Sequence, residues 1–197
     1  MVEAPHGPAS SALTFKIADT PQELEQIDQL LYRTFVLEVP RYDDPGTDRL
    51  TDKFHERNVY FVAVRGDAVQ GMVAVHDRPP FSVASAMKNP GLLDELGPRI
   101  VEARILAIKP EERGGMAFWG LACAVCDFAL VRRYDAIVIT GLTKRQRMYE
   151  KMGFGAIGPP VLLGAERFTP MAANLSAIPP HLQLALEHWR RRHGKQA

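Results

Sequence analysis

The residues with the clearest potential for chemistry lie in one stretch, 102–122, with the sequence EARILAIKPEERGGMAFWGLA. Glu102 and Arg104 stand two positions apart on a predicted strand, so their side chains lie on one face. A carboxylate there can take a proton from an attacking amine. Gly114 and Gly115 precede a long apolar segment, and unpaired N–H groups at the start of a helix can bind a phosphate.

Each of these patterns also has a structural interpretation. The two glycines are compatible with a tight turn that binds nothing. Glu102 and Arg104 are compatible with an ion pair at the mouth of a sheet, which contributes little to stability when it is exposed. The same pair could instead hold a substrate carboxylate, because arginine suits bidentate contact with that group.

Hydrophobic periodicity predicts a series of strands and helices around this stretch. Thr20, Pro21 and Glu23 are typical of a helix start with a capping box. The segment 59–77 is typical of a hairpin that turns at Gly66 and Asp67. The remaining predictions are strands at 12–19, 99–108 and 135–140, helices at 116–133 and 143–154, two last extended segments at 155–164 and 167–175, and a C-terminal helix with a stripe of Leu182, Leu186 and Trp189.

This element order predicts an α/β or α+β domain with a mixed sheet flanked by helices. The helix 116–133 is apolar on nearly every face, so we expect it to be buried between layers. The segment 39–48 is predicted to be a loop from its proline and glycine content, and 50–57 could form a short helix. The segment 78–98 is predicted to be irregular, and loops of that length are often functional.

Composition limits the classes of partner. The chain has 197 residues and a formal net charge of +1, so no global field attracts nucleic acid or an anionic membrane. The longest apolar stretch, 116–126, is well short of the ~20 residues that span a bilayer. We predict a flexible tail at 1–12 without secretory features, a domain at 13–178, and a C-terminal helix at 179–197 with a basic, solvated end.

Two cysteines, Cys123 and Cys126, have CxxC spacing inside the predicted buried helix. A zinc site needs two further ligands at suitable spacing, and none follow. We therefore interpret both as core-packing thiols and expect no metal. The absence of a disulfide framework predicts a cytoplasmic protein.

The stretch from the strand to the helix resembles the coenzyme A-binding segment of the GNAT superfamily of N-acyltransferases. That family has a strand ending LAV, then HPEYRGxG, then a helix; here LAI (106–108) precedes KPEERGG. RQRMYEKMGF (145–154) resembles the family's later A…LYEKxGF helix. Glu112 stands where the family usually has glutamine or arginine, and the loop is one residue shorter.

The resemblance extends over residues 13–175 and implies a single GNAT-like domain with a central, mostly antiparallel twisted sheet. It implies no tightly bound cofactor and an acyl-CoA or acyl-phosphopantetheine co-substrate. The residues that it assigns to this co-substrate are Leu106, Ala107, Ile108, Arg113, Gly114, Gly115, Met116 and Ala117.

Four further stretches resemble the N-acyl amino acid synthases and acyl-homoserine lactone synthases: 30–39, 50–57, 71–78 and 101–108. The resemblance to this branch implies acyl carrier protein as an alternative donor. Six residues lie in regions that match the arginine, phenylalanine, aspartate and glutamate positions of the branch. Four of them are expected to bind the acceptor: Arg33, Phe35, Arg78 and Arg104. The other two are Asp52 and Glu102.

The function implied is transfer of an acyl group from a thioester to a primary amine, such as that of an amino acid, by direct attack. Tyr149 is expected to protonate the leaving thiolate and Glu102 to act as base, with His55 and His76 as alternative bases. Tyr149 is also compatible with core packing, and Arg33 and Arg78 with contact to a carrier protein. A small-chain acetyltransferase and a non-catalytic GNAT-like binding module are the alternatives.

Overall fold

The computed structural model of the chain describes residues 12–194, and one mixed sheet runs through them. The strands are β1 (Thr14–Ile17), β2 (Val59–Arg65), β3 (Ala68–His76), β4 (Ile100–Ile108), β5 (Ala136–Leu142), β6 (Gly155–Ala156), β7 (Val161–Leu163) and β8 (Glu166–Asn174). The helices are α1 (Pro21–Tyr32), α2 (Ser82–Ser85), α3 (Met116–Val131), α4 (Gln146–Lys151) and α5 (Pro180–His193).

The strand order is β1-β2-β3-β4-β5-β8-β6, and β7 also pairs with β8. Within the described residues every pairing is antiparallel except that of β4 with β5. The parallel pair is joined by α3, which crosses one face of the sheet. The prediction of a mixed, mostly antiparallel sheet flanked by helices is confirmed.

The strands β4 and β5 separate halfway along their length. They pair only from Ile100 to Glu102 on β4, although β4 continues to Ile108 and β5 to Leu142. On its other edge β4 carries one residue more than β3 between two paired positions, which is a β-bulge. Ile105 in this bulge has a φ of 47°, a left-handed conformation that is costly for a β-branched residue.

Two layers of helix cover the sheet. On one face α3 and α5 pack over a core that contains Phe15, Phe61 and Phe128. Gly120 of α3 is a required contact point, since a Cβ there would lie 1.9 Å from the Phe15 ring. On the other face α1 packs over β2, β3 and the bulge of β4, and the segment 78–98 packs over the start of β4 and β5.

The C-terminal helix is part of this core. Leu186 and Trp189 of α5 are buried with the residues of α3, as their predicted stripe indicates. Arg190 forms an ion pair with the fully buried Asp127 of α3. Within the predicted segment 179–197, the helix Pro180–His193 therefore packs on the rest of the described chain.

Most predicted elements are confirmed, with shorter bounds. The capping box of Thr20 and Glu23 and the hairpin 59–77 are present. The segment 50–57 forms only a 3₁₀ turn at His55–Arg57, and 78–98 contains α2 and a 3₁₀ segment, Pro90–Leu96. The predicted tail lies, except for Ala12, outside the described residues. Across residues 12–194, every helix is too short or too polar to cross a membrane.

Candidate active site

A cleft opens where β4 and β5 separate, on the face of the sheet that carries α3. Its volume is about 220 Å³, and most of its lining is apolar. The two strands contribute Ala103 to Leu106 and Ile139 to Gly141, and the walls are completed by α3 and by Leu182 and Leu186 of α5. The shape and lining suit an extended, largely apolar group.

The head of α3 lies beside this cleft and has free backbone donors. Gly115 is the N-cap, and among residues 12–194 no side chain caps the helix. The N–H groups of the first turn, Met116 to Phe118, therefore lack an intrahelical acceptor, and the helix dipole favours an anion there. Gly114 has a φ of 77°, and a Cβ at that position would meet only open space. An anion can approach this corner, and Phe118 connects it to the cleft.

Two charged side chains of the corner, Glu112 and Arg113, are paired. Glu112, the departure from the GNAT pattern, forms a two-point ion pair with Arg65 of β2. Arg113 donates to the carbonyl of Ile108 at 3.0 Å and pairs with Glu38. Because Glu112 is neutralised by Arg65, its negative charge does not oppose an anion at the head of α3.

Three residues at the end of β4 were expected to bind the co-substrate: Leu106, Ala107 and Ile108. Neighbouring side chains on a strand point to opposite faces of the sheet, so the three do not lie together. Leu106 lines the cleft. Ala107 is buried in the core under α1, and Ile108 packs in the core under α3 without lining the cleft. At the corner, Met116 is 59% exposed and Ala117 is buried, and both contribute backbone N–H groups to the first turn of α3.

Tyr149 of α4, which the resemblance assigns as the acid, lines the cleft. Its ring packs on Gly141 of β5 so closely that a Cβ on Gly141 would lie 2.7 Å from Cε2. Burial raises the pKa of the Tyr149 phenol, and a backbone hydrogen bond at Leu142 acts in the opposite direction. The phenol is therefore protonated at neutral pH and can donate a proton.

Both thiols line the cleft and also pack against the core of α3 and α5. Cys123 and Cys126 are half-buried on the side of α3 that faces the opening. Burial raises the pKa of Cys123 to about 11 and that of Cys126 to about 12. They are neutral at physiological pH and are poor nucleophiles.

A second, smaller cavity lies on the opposite face of the sheet, under α1. Its volume is about 130 Å³. It is lined by the predicted Phe35 and also by Leu31, Tyr42, Leu50, Thr51, Asp52, Lys53 and Ile105. Ile105, the residue with the left-handed backbone, lines both this cavity and the cleft. The bulge of β4 thus lies between the two openings.

Glu102 and Arg104 are buried and do not pair with each other, which corrects the interpretation of an exposed ion pair. Arg104 pairs with Asp52, and its guanidinium carbon lies 4.7 Å from the centre of the Phe54 ring. Asp52 also accepts from the backbone of Phe54 at 2.9 Å and from Asn58 at 2.8 Å. The Nε of Arg104 is buried with no hydrogen-bond partner in the described chain.

The carboxylate of Glu102 is fully engaged at 1% exposure. It accepts from the backbone N–H groups of Ser82 and Val83, both at 2.7 Å, and it contacts His76 Nε2 at 2.9 Å. His76 Nδ1 lies 3.0 Å from the carbonyl of Arg78. Both ring nitrogens of His76 therefore face oxygen atoms. Glu102 thereby attaches the segment 78–98 to the sheet.

Three of the other predicted residues lie outside both cavities. Arg33 is exposed on the outer side of a π-helical turn, Arg33–Glu38, because Thr34 and Phe35 occupy its buried side. Arg78 is also exposed, with a side chain 82% accessible. His55 contacts the hydroxyl of Tyr60 at 3.2 Å through Nδ1.

Arg41 is a residue that the sequence did not single out. It follows the π-helical turn, in the segment predicted as a loop, and its guanidinium carbon lies 4.5 Å from the centre of the Phe168 ring. Burial lowers the pKa of Arg41, and the nearby charge of Arg104 adds to this, whereas Tyr42 and Glu102 oppose it. A single arginine in a loop rich in proline and glycine carries no periodic signal, so only the fold reveals its position.

The chain was compared with known proteins. No family model matches it, and no curated protein matches it. Solved structures do match. A CoA-dependent acyl-homoserine lactone synthase, BjaI, solved with SAM and isopentyl-CoA, has a TM-score of 0.70 at 20% identity, with 94% of this chain and 92% of that chain covered.

Two other solved structures are similar over nearly their full length. The acyl-homoserine lactone synthase LasI has a TM-score of 0.70 at 19% identity and covers 95% of this chain and 98% of its own. FeeM, an N-acyl amino acid synthase from uncultured soil microbes, has a TM-score of 0.68 at 16% identity and covers 88% and 98%. The chain therefore has the GNAT fold, and its structural neighbours are acyltransferases of this fold, as the sequence predicts.

Proposed function

We propose that the protein is an N-acyltransferase that moves an acyl group from an acyl thioester to a primary amine. The observation that carries the proposal is the continuity of three features: the uncapped head of α3, the apolar cleft between β4 and β5, and Tyr149 in that cleft. A phosphopantetheine thioester needs an anion site, an extended slot and an acid near its sulfur, in that order along its length.

The donor is placed from the corner inward. Backbone N–H groups of Met116 and Ala117 bind the phosphate, and Arg65 keeps Glu112 from repelling it. The pantetheine arm lies along β4 in the cleft. The apolar wall formed by α3 and α5 then receives the acyl chain, which favours chains longer than acetyl. Acyl-CoA and acyl carrier protein present the same arm, so either can be the donor.

The backbone of β4 supplies the oxyanion site. Every second N–H of a strand points toward each neighbour, and past Glu102 the strand β5 is no longer there to accept. Donors on that side of β4 face the cleft, near the bulge at Ile105. They can stabilise the negative oxygen of the tetrahedral intermediate without reorganising.

The acceptor enters from the second cavity, on the other side of Ile105. The neutral amine attacks the thioester carbonyl carbon, a C–N bond forms, and the C–S bond breaks. The nitrogen loses a proton to solvent, and Tyr149 gives its proton to the leaving thiolate and regains one from solvent. Glu102 acts as a positioning residue in this scheme, because its oxygens are already bound to His76 and the 78–98 backbone.

The test is direct assay of transfer. The purified protein is incubated with acetyl-, hexanoyl- or dodecanoyl-CoA, or with acyl carrier protein charged with the same chains, and with a mixture of amino acids. We expect thiol release that requires an amine, amide products by mass spectrometry, and faster reaction with the longer chains. Thermal stabilisation by thioesters without any turnover would instead indicate a binding module, and no stabilisation by any of them would contradict the proposal.

A further inference from the structure

We propose that Arg41 is the residue that selects the acceptor, by binding a carboxylate on it together with Arg104. This inference rests on the proposed function, and it adds a residue that neither the sequence patterns nor the structural similarities assign. Arg41 carries a half-buried guanidinium whose side chain forms no hydrogen bond with any described residue, and it contacts the Phe168 ring instead. Five N–H donors in that position are available to a ligand.

Arg41 is held in place by its surroundings. Its backbone N–H donates to the carbonyl of Phe35 at 2.9 Å, and so does that of Tyr42 at 3.3 Å. The turn between β7 and β8 packs on the same segment, since a Cβ on Gly164 would lie 2.5 Å from the carbonyl oxygen of Pro40. Phe35 and Tyr42 both line the second cavity. The backbone of Arg41 is thus fixed next to residues that line the second cavity, and its guanidinium lies over the Phe168 ring.

Arg41 forms no ion pair with any described residue, although other charged groups lie near it. Arg104 is paired with Asp52, and Glu102 is bonded to His76 and two backbone N–H groups. Arg104 is close enough to lower the pKa of Arg41, and its buried Nε has no acceptor in the described chain. The open donors of these two neighbouring guanidinium groups match an anion, and the planar fork of arginine matches a carboxylate.

The carboxylate subsite fixes which amines react productively. A carboxylate held by Arg41 and Arg104 leaves the amine of the same molecule in the second cavity, next to Ile105 and the cleft. An acceptor without the carboxylate enters the same cavity but is not oriented there. The preference of the enzyme for amino acids over simple amines is therefore carried by Arg41.

The experiment measures binding without turnover. N-hexanoylglycine and N-hexanoylglycinamide differ only in the carboxylate, and each is titrated calorimetrically into the full-length protein and its variants. We expect the acid to bind the wild type about tenfold or more tightly than the amide. R41M, which keeps the apolar stem over Phe168, abolishes this preference and leaves the affinity for the amide unchanged. R41K keeps the charge but not the fork and retains part of the preference.

R167M is the matched control, because Arg167 adjoins Phe168 on β8 but is exposed. It removes the same charge, and we expect it to keep the full preference for the acid. Two results would overturn the subsite. One is that the wild type binds the two ligands equally or binds neither, and the other is that R41M keeps the preference for the acid. Acyl transfer without an acid preference would refute the subsite alone, whereas an acid preference in a protein that transfers no acyl group would refute the proposed function alone.

Discussion

Glu102 pairs with Val138 at the last position where β4 and β5 are joined, and beyond this pair the two strands separate. The same Glu102 side chain, on the face opposite α3, binds the backbone of Ser82 and Val83. Glu102 therefore lies where the cleft begins, and its side chain also attaches the 78–98 segment to the sheet. A positioning role for Glu102 and a role as base predict different effects of its substitution on stability and on the pH–rate profile.

The variant E102Q should lower stability and slow transfer without changing the form of the pH–rate profile. Ser82 and Val83 donate to different carboxylate oxygens, so an amide at this position leaves at least one buried N–H facing another donor. The expected cost is about 1–3 kcal/mol in the free energy of unfolding, measured by urea denaturation. E95Q, at an exposed position of the same segment, is the control. If E102Q removed the acidic limb of the profile while stability was unchanged, Glu102 would be the base.

The variant Y149F should reduce kcat by about 10²-fold with little change in the KM for the thioester, because the phenol acts only when the thiolate departs. Since burial raises the pKa of Tyr149, the active protonated form is present through neutral pH, and activity should fall only as pH rises past the ordinary phenol range. Y134F is the control, as Tyr134 bonds to Asp77 and lines neither cavity. A Y149F enzyme with full kcat would contradict the assignment.

The variant G115D should separate helix stability from donor binding. Gly115 is the N-cap of α3, with a backbone that any residue can adopt, and aspartate is a favoured N-cap. Stability should be maintained, while the new negative charge should weaken CoA binding about tenfold or more. G115S caps without charge and should weaken binding less. We would measure thermal unfolding and CoA affinity on the same samples, and unchanged affinity in G115D would exclude a phosphate at this corner.

The thiols of the cleft should react slowly and should be protected by ligand. With a pKa of about 11 for Cys123, about one thiol in a thousand is ionised at pH 8. The thiolate is the reactive form, so alkylation by iodoacetamide should accelerate about tenfold per pH unit up to that range. Dodecanoyl-CoA should slow it further. The variants C123A and C126A each leave one of the two cleft thiols, so the rate of each thiol can be measured separately. Alkylation as fast as that of free glutathione at neutral pH would show that the cleft is more open than described.

Features that depend on neighbouring residues could be predicted from the sequence. The capping box of Thr20 and Glu23, the hairpin turn and the glycine corner before α3 are set by backbone conformations within a few residues. Such rules are local, so they hold whatever the rest of the chain does.

The partners of the buried charges could be decided only by the tertiary structure. Glu102 and Arg104 are two residues apart, yet one pairs with His76, 26 positions away, and the other with Asp52, 52 positions away. The bulge at Ile105 and the early separation of β4 from β5 arise from pairing between distant strands. Arg41 reaches its position over Phe168 through the packing of its loop against β7 and β8. A buried charge is stable only beside its partner, and the order of strands in the sheet determines which partner is near.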